Sequence, residues 1–352
     1  MVIVSSVDPV LRDIASFGAV SDLPGTGVLR QDLDPSSGTL RRVVSDESGI
    51  VEDRTTALQH ACLGCAIRED SLPALGAMAA SGRWERIVWA LPVGAETPPA
   101  ARPLASPSIA RDLGVDLAGV VALVDSEAAE TDLLGSDLLD DRGLALSLED
   151  RRSVGETLAG QVRHADLVLT AGENRIGAAL VDHLRGAGSQ RMDLLEIAGG
   201  VLLRQRYGHR RAEARIDPRL PGPPDATGPA GVWSWTLQAP RPVHPGRFLR
   251  QLGQLVAGNV LSHGCFHVAG RPRQVGEWDG AGGQLSLGDG GGWGPIPPTT
   301  RLRFVGLGEG PRHLGRAFRS MLLTDEEWAR PDRWRTADDG LDPWLGAREP
   351  AA

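Results

Sequence analysis

Met1-Val-Ile-Val-Ser-Ser-Val-Asp-Pro-Val-Leu-Arg-Asp-Ile14 opens the chain with a short apolar run, a polar break, and an Asp-Pro step into an apolar-periodic stretch. Residues 2–4 read as a buried strand. Residues 8–17 read as a helix, with Asp8 as its N-cap and Pro9 at the first helical position, where the missing N–H is not needed. Outward from this unit, residues 86–91, 120–124 and 165–170 are further apolar, β-branched runs. Helical patterns lie between them at 70–81 and 148–164. Continuous apolar strands alternating with helices predict an α/β domain with a doubly wound parallel sheet. The opening segment gains Asp8, Arg12 and Asp13 too early for a signal peptide or a membrane span, and no later run reaches membrane length.

Beyond a Pro/Gly-rich stretch at 218–231 the pattern changes. Trp233, Trp235 and Leu237 alternate with small or polar residues, residues 245–257 form an amphipathic helix, and alternation returns through 260–269. Strands at 284–287 and 301–306 and a helix at 311–323 follow. This half predicts a smaller α+β domain whose sheet has one packed and one wet face. The expected organisation is residues 1–190, a linker at 191–230, a second domain at 231–328 and a charged, loose tail at 329–352. Two domains also suit a chain of 352 residues. No internal repeat is evident.

All 37 basic side chains are arginine. Without lysine, P-loop phosphate binding by an ammonium, Schiff-base chemistry and lysine general bases are excluded. A net charge of −8 argues against a protein that coats nucleic acid, and no direct DNA binding is expected, although local arginine clusters can still meet phosphate. Three cysteines do not make a disulfide framework and fit a reducing cytoplasm.

Two of the three sit in Thr55-Thr-Ala-Leu-Gln-His-Ala-Cys-Leu-Gly-Cys-Ala-Ile-Arg-Glu-Asp70. Cys62 and Cys65, at CxxC spacing, can share one soft ion such as Zn2+ or Cu+. The pair alone does not complete a site, and two small buried hydrophobes would read the same way. His60 is either a third ligand or a surface helix residue. Thiol redox exchange is a further use of CxxC, but it needs an α/β context that this stretch does not present.

Together these pieces resemble the CobW family, a metal-handling branch of the P-loop GTPases. Its GCxCC segment is similar to Ala61-Cys-Leu-Gly-Cys-Ala-Ile-Arg-Glu-Asp70, with Gly64 in place of the middle cysteine. Arg241-Pro-Val-His-Pro-Gly-Arg247 resembles the RPFHPxR turn of the family's C-terminal domain. Arg271-Pro-Arg-Gln-Val-Gly276 with Ala281-Gly-Gly283 resembles its strand and glycine loop, and Leu322-Leu-Thr-Asp-Glu-Glu327 its closing helix end. The resemblance implies a degenerate P-loop GTPase-like domain followed by a CobW C-terminal α+β domain, with Zn2+ held by Cys62 and Cys65, while His60 stays open as a third ligand or a surface residue. The reduced CxxC and the ending Trp328-Ala-Arg-Pro-Asp-Arg-Trp334 are most similar to the actinobacterial branch that recruits ribosome hibernation factors under zinc limitation. That implies a protein partner, a hibernation factor or the ribosome.

The departures from the family bear on GTP. The Gly-rich loop ending in Lys-Thr is replaced by Ser5-Ser-Val-Asp-Pro-Val-Leu-Arg12. There are no glycines to bring backbone amides to a phosphate, and Asp8 would repel it. The acidic ETTG segment is replaced by Ala90-Leu-Pro-Val-Gly94, and NKxD by Thr170-Ala-Gly-Glu173. A remodelled nucleotide site would have to use Arg12 for phosphate, Asp125 for a bound ion and Glu173 for the guanine edge. Asp125, at a strand end, also reads as a turn residue. Little or no GTP hydrolysis is expected, because the cradle, the lysine and the metal carboxylate are lost together. The rival reading is a GTP-dependent zinc chaperone built on those three residues.

His263, Cys265 and His267 alternate along a strand and share one sheet face, either as a facial metal site or packed against Trp233 or Trp235. His244 reads as structural. Arg241, Arg247, Arg250, Arg271 and Arg273 form either a patch for ribosomal RNA or an acidic partner, or scattered solvated charges. Trp328, Trp334 and Trp344 in the tail would be unusual if left exposed.

Overall fold

A computed structural model describes residues 1–58, 62–195, 200–203, 205–228, 230–310, 312–330, 333–334 and 338–348. The chain forms two compact units, residues 1–132 with 137–216, and residues 133–136 with 217–352.

The first unit is built on an eight-stranded sheet of order β4-β3-β2-β5-β1-β6-β7-β8. Its strands are β1 (Val2–Ser5), β2 (Thr26–Asp34), β3 (Thr39–Asp46), β4 (Gly49–Ala57), β5 (Arg86–Ala90), β6 (Gly119–Asp125), β7 (Leu167–Ala171) and β8 (Gln190–Asp193). From β2 to β8 every pairing is parallel, and β3 and β4 extend the sheet as an antiparallel ribbon. The helices are α1 (Pro9–Asp22), α2 (Leu63–Ala66), α3 (Leu72–Ala80), α4 (Pro98–Leu104), α5 (Pro107–Leu113), α6 (Ala129–Leu134), α7 (Val154–His164), α8 (Arg175–Leu184), α9 (Gly200–Leu203) and α10 (His209–Ile216).

Successive residues of β1 enter different cores. Val2 and Val4 pack with Leu11, Ala15 and Ala19 of α1, while Ile3 packs with Leu75 and Met78 of α3 and Ala101 of α4. A strand with apolar side chains on both faces needs helices on both, which is the doubly wound arrangement. The expected α/β class is therefore the observed one.

Three local expectations differ from the structure. Helix α7 starts at Val154, not 148, because Asp150 accepts from Leu146 N at 3.1 Å and from the Arg152 guanidinium, closing a loop before Ser153 caps the helix by accepting from Glu156 N. Residues 26–57 form β2, β3 and β4, none of which the apolar-run criterion found, since polar and charged residues break the apolar positions of β2 and β3 and β4 is largely exposed. The stretch expected as a linker holds β8 and α10. Ala212 of α10 is fully buried, and Arg215 pairs with the buried Asp166 at 2.7 Å.

The second unit is a six-stranded antiparallel sheet of order β13-β12-β11-β14-β10-β9. It comprises β9 (Ala226–Thr227), β10 (Val232–Ala239), β11 (Val260–His267), β12 (Gln274–Ala281), β13 (Gln284–Gly292) and β14 (Thr300–Leu307). α11 (Pro245–Leu255) and α12 (Arg312–Met321) lie on one face and bury Phe248, Leu255, Leu314 and Phe318 against Trp233, Phe266, Trp278 and Phe304. The other face is not simply wet. Arg301 and Arg303 donate to the carbonyls of Arg219 and Pro223, at 2.6 and 2.7 Å, and tie the 219–225 segment to the sheet. Prolines supply acceptors without competing N–H donors, so guanidinium forks suit them.

The two motif turns of this unit meet. His244 caps α11, with Nδ1 accepting from Arg247 N at 3.4 Å. Arg247 grips Glu327 with two bonds of 2.8 and 2.6 Å, and Glu327 completes a capping box with Thr324 at α13 (Asp325–Trp328). The Arg247 bonds hold the Glu327 carboxyl down at about 2, although partial burial pulls the other way. A depressed carboxyl stabilises the fold above its unfolded value and loses that contribution as pH falls through the folded value. Denaturant unfolding of Glu327→Gln is therefore expected to show a shallower loss of stability than the wild type between 4.5, the ordinary value of this carboxyl, and about 2, the difference being the share of Glu327 among the depressed carboxyls.

The tail beyond 329 is not loose where it is described. Leu341 and Leu345 enter the core, and Trp334 is buried edge-on to His244, with Nε1 donating to the Glu327 carbonyl at 3.0 Å. Arg271, 2% exposed, holds both oxygens of Asp339 at 2.9 and 3.0 Å, pairs with Asp342, and donates to the Gly346 carbonyl at 2.6 Å. Charge in this segment marks ion pairs to its own domain. Trp328 and Trp344 remain part exposed, with Arg241 stacked 5.4 Å from the Trp328 ring.

Candidate metal centre

Cys62 has extended φ/ψ of −142° and 152° and serves as N-cap, its Sγ accepting from Cys65 N at 3.4 Å. Its pairing with Cys65 holds the Cys62 thiol below its ordinary value, and the same pairing, with burial, pushes the Cys65 thiol above it. Cys62 is half-buried and Cys65 is buried, with Arg68 Nη2 at 3.7 Å from the Cys65 sulfur. Helix α2 leads directly into a π-helical turn, Ile67–Ser71, and then α3. Such turns concentrate at functional sites.

The π-turn is locked from the sheet side. Gln31 of β2 donates to Asp70 Oδ1 at 2.7 Å, while its carbonyl oxygen Oε1 accepts from Ser71 Oγ at 2.7 Å and from Trp89 Nε1 at 3.0 Å. Arg42 of β3 takes the other Asp70 oxygen at 2.6 Å and Glu52 at 2.6 Å. Gln31, Asp70, Ser71 and Trp89 are all buried, so each bond satisfies a group that water does not reach. Gln31→Leu is expected to destabilise the chain by about 2–3 kcal/mol in denaturant unfolding, because it strips the buried Asp70, Ser71 and Trp89 of one partner each. Gln31, Arg42 and Trp89 were not singled out from the sequence. The acidic residue after the CxxC segment was the available signal, since a buried carboxylate requires donors.

The residues considered for a nucleotide do not converge. Asp8 Oδ1 accepts from Val10 N at 2.7 Å and Leu11 N at 3.1 Å, so the α1 N-terminus is already capped by a carboxylate. Arg12 is 3% exposed and spends Nη1 on the carbonyls of Gln31 and Leu91, both at 3.2 Å, and on Asp32 at 2.8 Å. It therefore points toward β2 and β5, whereas Asp125 and Glu173 follow β6 and β7 on the other side of β1. Asp125 accepts from Glu127 N at 2.8 Å, a turn contact, and Glu173 is exposed, with its N–H held by Glu127 at 2.9 Å. His60 lies outside the described residues.

His263, Cys265 and His267 share a face of β11, yet of the two readings the facial metal site is not formed. His263 pairs with Asp279 at 3.1 Å, Cys265 directs its thiol to the Thr299 carbonyl at 3.7 Å, and His267 lies edge-on to Trp293 at 5.9 Å. Burial pushes Cys265 up to about 11 and His267 down to about 4. Their neighbour is Trp293, not Trp233 or Trp235, because those two lie against the opposite, helix-covered core. Among the described residues no group of three or more His, Cys, Asp or Glu is placed to hold a metal ion. Of the five arginines considered for a patch, three are engaged within their own domain. Arg241, Arg247 and Arg271 are paired with Asp325, Glu327 and Asp339 of their own domain.

Residues 232–322 match the model of the cobalamin synthesis protein CobW C-terminal domain. The chain is 26% identical over 368 residues to the zinc chaperone Rv0106 of Mycobacterium tuberculosis, covering 93% of this chain and 89% of that one. An uncharacterized protein of Mycobacterium bovis, Mb0109, gives the same identity and coverage. Among solved structures, the Zn(II)-bound YjiA GTPase of E. coli aligns with 91% of this chain and 98% of its own at 15% identity and a TM-score of 0.35. Among the described residues, no helix is long and apolar enough to cross a membrane.

Proposed function

We propose that this chain is a CobW-like zinc-handling protein that takes Zn2+ as cargo at Cys62 and Cys65 and works without GTP hydrolysis. The paired-thiol turn carries the reading: two soft donors stand on one turn, Cys62 Sγ accepting from Cys65 N, and the far end of that turn is fixed by Gln31, Asp70 and Ser71. Two thiolates fill half of a tetrahedral zinc site and leave the rest to His60 or to the molecule that gives or takes the ion, as transfer requires. The CobW C-terminal domain and the relative named a zinc chaperone support it.

The loop after β1 is read as a degenerate P-loop. Its amides are capped by Asp8, and Arg12 is committed to Gln31, Leu91 and Asp32. Remodelling Arg12, Asp125 and Glu173 into one GTP site would first have to break those contacts. The finer reading is a cytoplasmic factor that recruits a partner, a ribosome hibernation factor or the ribosome itself, when zinc is limiting. Its support is the resemblance of the reduced CxxC segment and of residues 328–334 to that branch.

Titrating the reduced protein with Zn2+ against a chromophoric chelator tests the site. Uptake of a single ion, lost in Cys62→Ser/Cys65→Ser, is expected. Undiminished uptake by the double variant overturns the assignment.

A further inference from the structure

Helix α12 carries a cationic face that its own domain does not use. Leu314, Ala317, Phe318 and Met321 bury its inward side in the sheet core. The outward side presents Arg312, His313, Arg316 and Arg319, all exposed, with Ser320 beside them and no apolar side chain among them. Spacings of four and three place the arginines in one stripe, about 10 Å long at about 1.5 Å per residue. None of the three makes an ion pair among the described residues, whereas Arg241, Arg247 and Arg271 of the same domain all do. In a chain of net charge −8 this is a local reversal of sign.

The stripe also breaks a local rule. Arg312 and His313 stand in the first turn of α12, where no acidic residue is present and the helix dipole is itself positive. Such a placement costs helix stability, and a rule broken without compensation inside the fold points to a partner outside it.

We propose that the outward face of α12 docks the phosphodiester backbone of single-stranded RNA. Guanidinium forks match phosphate oxygens and work without an apolar centre. Protein interfaces, by contrast, rest on buried apolar or aromatic anchors with charge at the rim, and this face has none. Nucleic-acid interfaces are polar and cationic throughout. Helix α12 lies flat on the sheet with α11 packed beside it, so it is not free to enter a duplex groove. A single strand laid across the layer meets the arginines in sequence, and the exposed Arg250 of α11 extends the same layer.

Fluorescence polarisation of a labelled oligouridine RNA with the full chain tests this across ionic strength. Three phosphate contacts predict a log–log salt slope of about −2, at about 0.7 per contact on a single strand. Arg312→Glu/Arg316→Glu/Arg319→Glu is expected to weaken binding at least about tenfold and flatten the slope, with thermal unfolding unchanged. Should that variant unfold, Arg316→Gln/Arg319→Gln is expected to retain the fold and lose about two-thirds of the slope. The proposal is overturned by no binding at low salt, by unaltered binding in a folded variant, by tighter binding of duplex DNA, or by polyglutamate of equal charge displacing the RNA.

Discussion

Replacing Cys62 and Cys65 together by serine is expected to lower Zn2+ affinity at least about a hundredfold, about 2.7 kcal/mol, while leaving the chain folded. The size follows from the ligand type. Thiolate is the soft donor that zinc prefers, and a hydroxyl at the same position stays protonated and binds the ion poorly. The retained fold follows from the local geometry. Cys62 acts as an N-cap through its Sγ, and serine is among the stronger N-caps. The π-turn that follows is fixed by Asp70 and Ser71, neither of which the substitution touches. Chelator competition reads the affinity, and thermal unfolding of the metal-free variant reads the fold. Unchanged affinity would remove the thiol pair from the account.

Arg271→Met is expected to destabilise the second unit by about 3–5 kcal/mol in denaturant unfolding. The guanidinium is almost fully buried and satisfies Asp339, Asp342, Gln274 and the Gly346 carbonyl at once. Methionine keeps much of the volume and removes every donor. Burial raises the Asp339 carboxyl, and the Arg271 bonds and charge, with the Leu341 amide and the Arg348 charge, together outweigh it and leave it below its ordinary value. The variant reverses that balance and strands a buried acid. Asp339→Asn in the same background is expected to recover part of the loss, since it removes the stranded charge. A cost below about 1 kcal/mol would mean that the tail is not held as described.

The α/β frame was legible because buried parallel strands are continuous apolar runs, and residues 2–4, 86–91, 120–124 and 165–170 each became a strand of the central sheet. Strands β2 and β3 escaped because Arg30, Gln31, Arg41 and Arg42 interrupt their apolar residues, and β4 because it is exposed along most of its length and carries Glu52, Asp53 and Arg54 where an apolar run was sought. The cysteine pair could be found from spacing alone. The network that positions it could not, since Gln31 and Arg42 are separated from Asp70 by 39 and 28 residues and meet it only through sheet pairing. Arg12 shows the same limit. An arginine one turn into a helix after the first strand invites a phosphate role, and only tertiary structure shows it spent on two backbone carbonyls. The arginines of the second unit divide likewise. Arg247 and Arg271 of the motif turns grip carboxylates of their own domain, while Arg312, Arg316 and Arg319, without an ion pair among the described residues, line α12, whose apolar face set the helix but whose charged face carried no motif.

The central claim, that zinc is handled here without a nucleotide, is tested most directly by calorimetric titration of GTP with Mg2+ into the zinc-loaded chain, repeated with the metal-free chain. No saturable heat in either titration is the predicted result, since the α1 N-terminus is capped by Asp8 and Arg12 is engaged elsewhere. Saturable micromolar binding, abolished by Arg12→Ala, would contradict the account and make the protein a GTP-dependent zinc chaperone with a rebuilt nucleotide site.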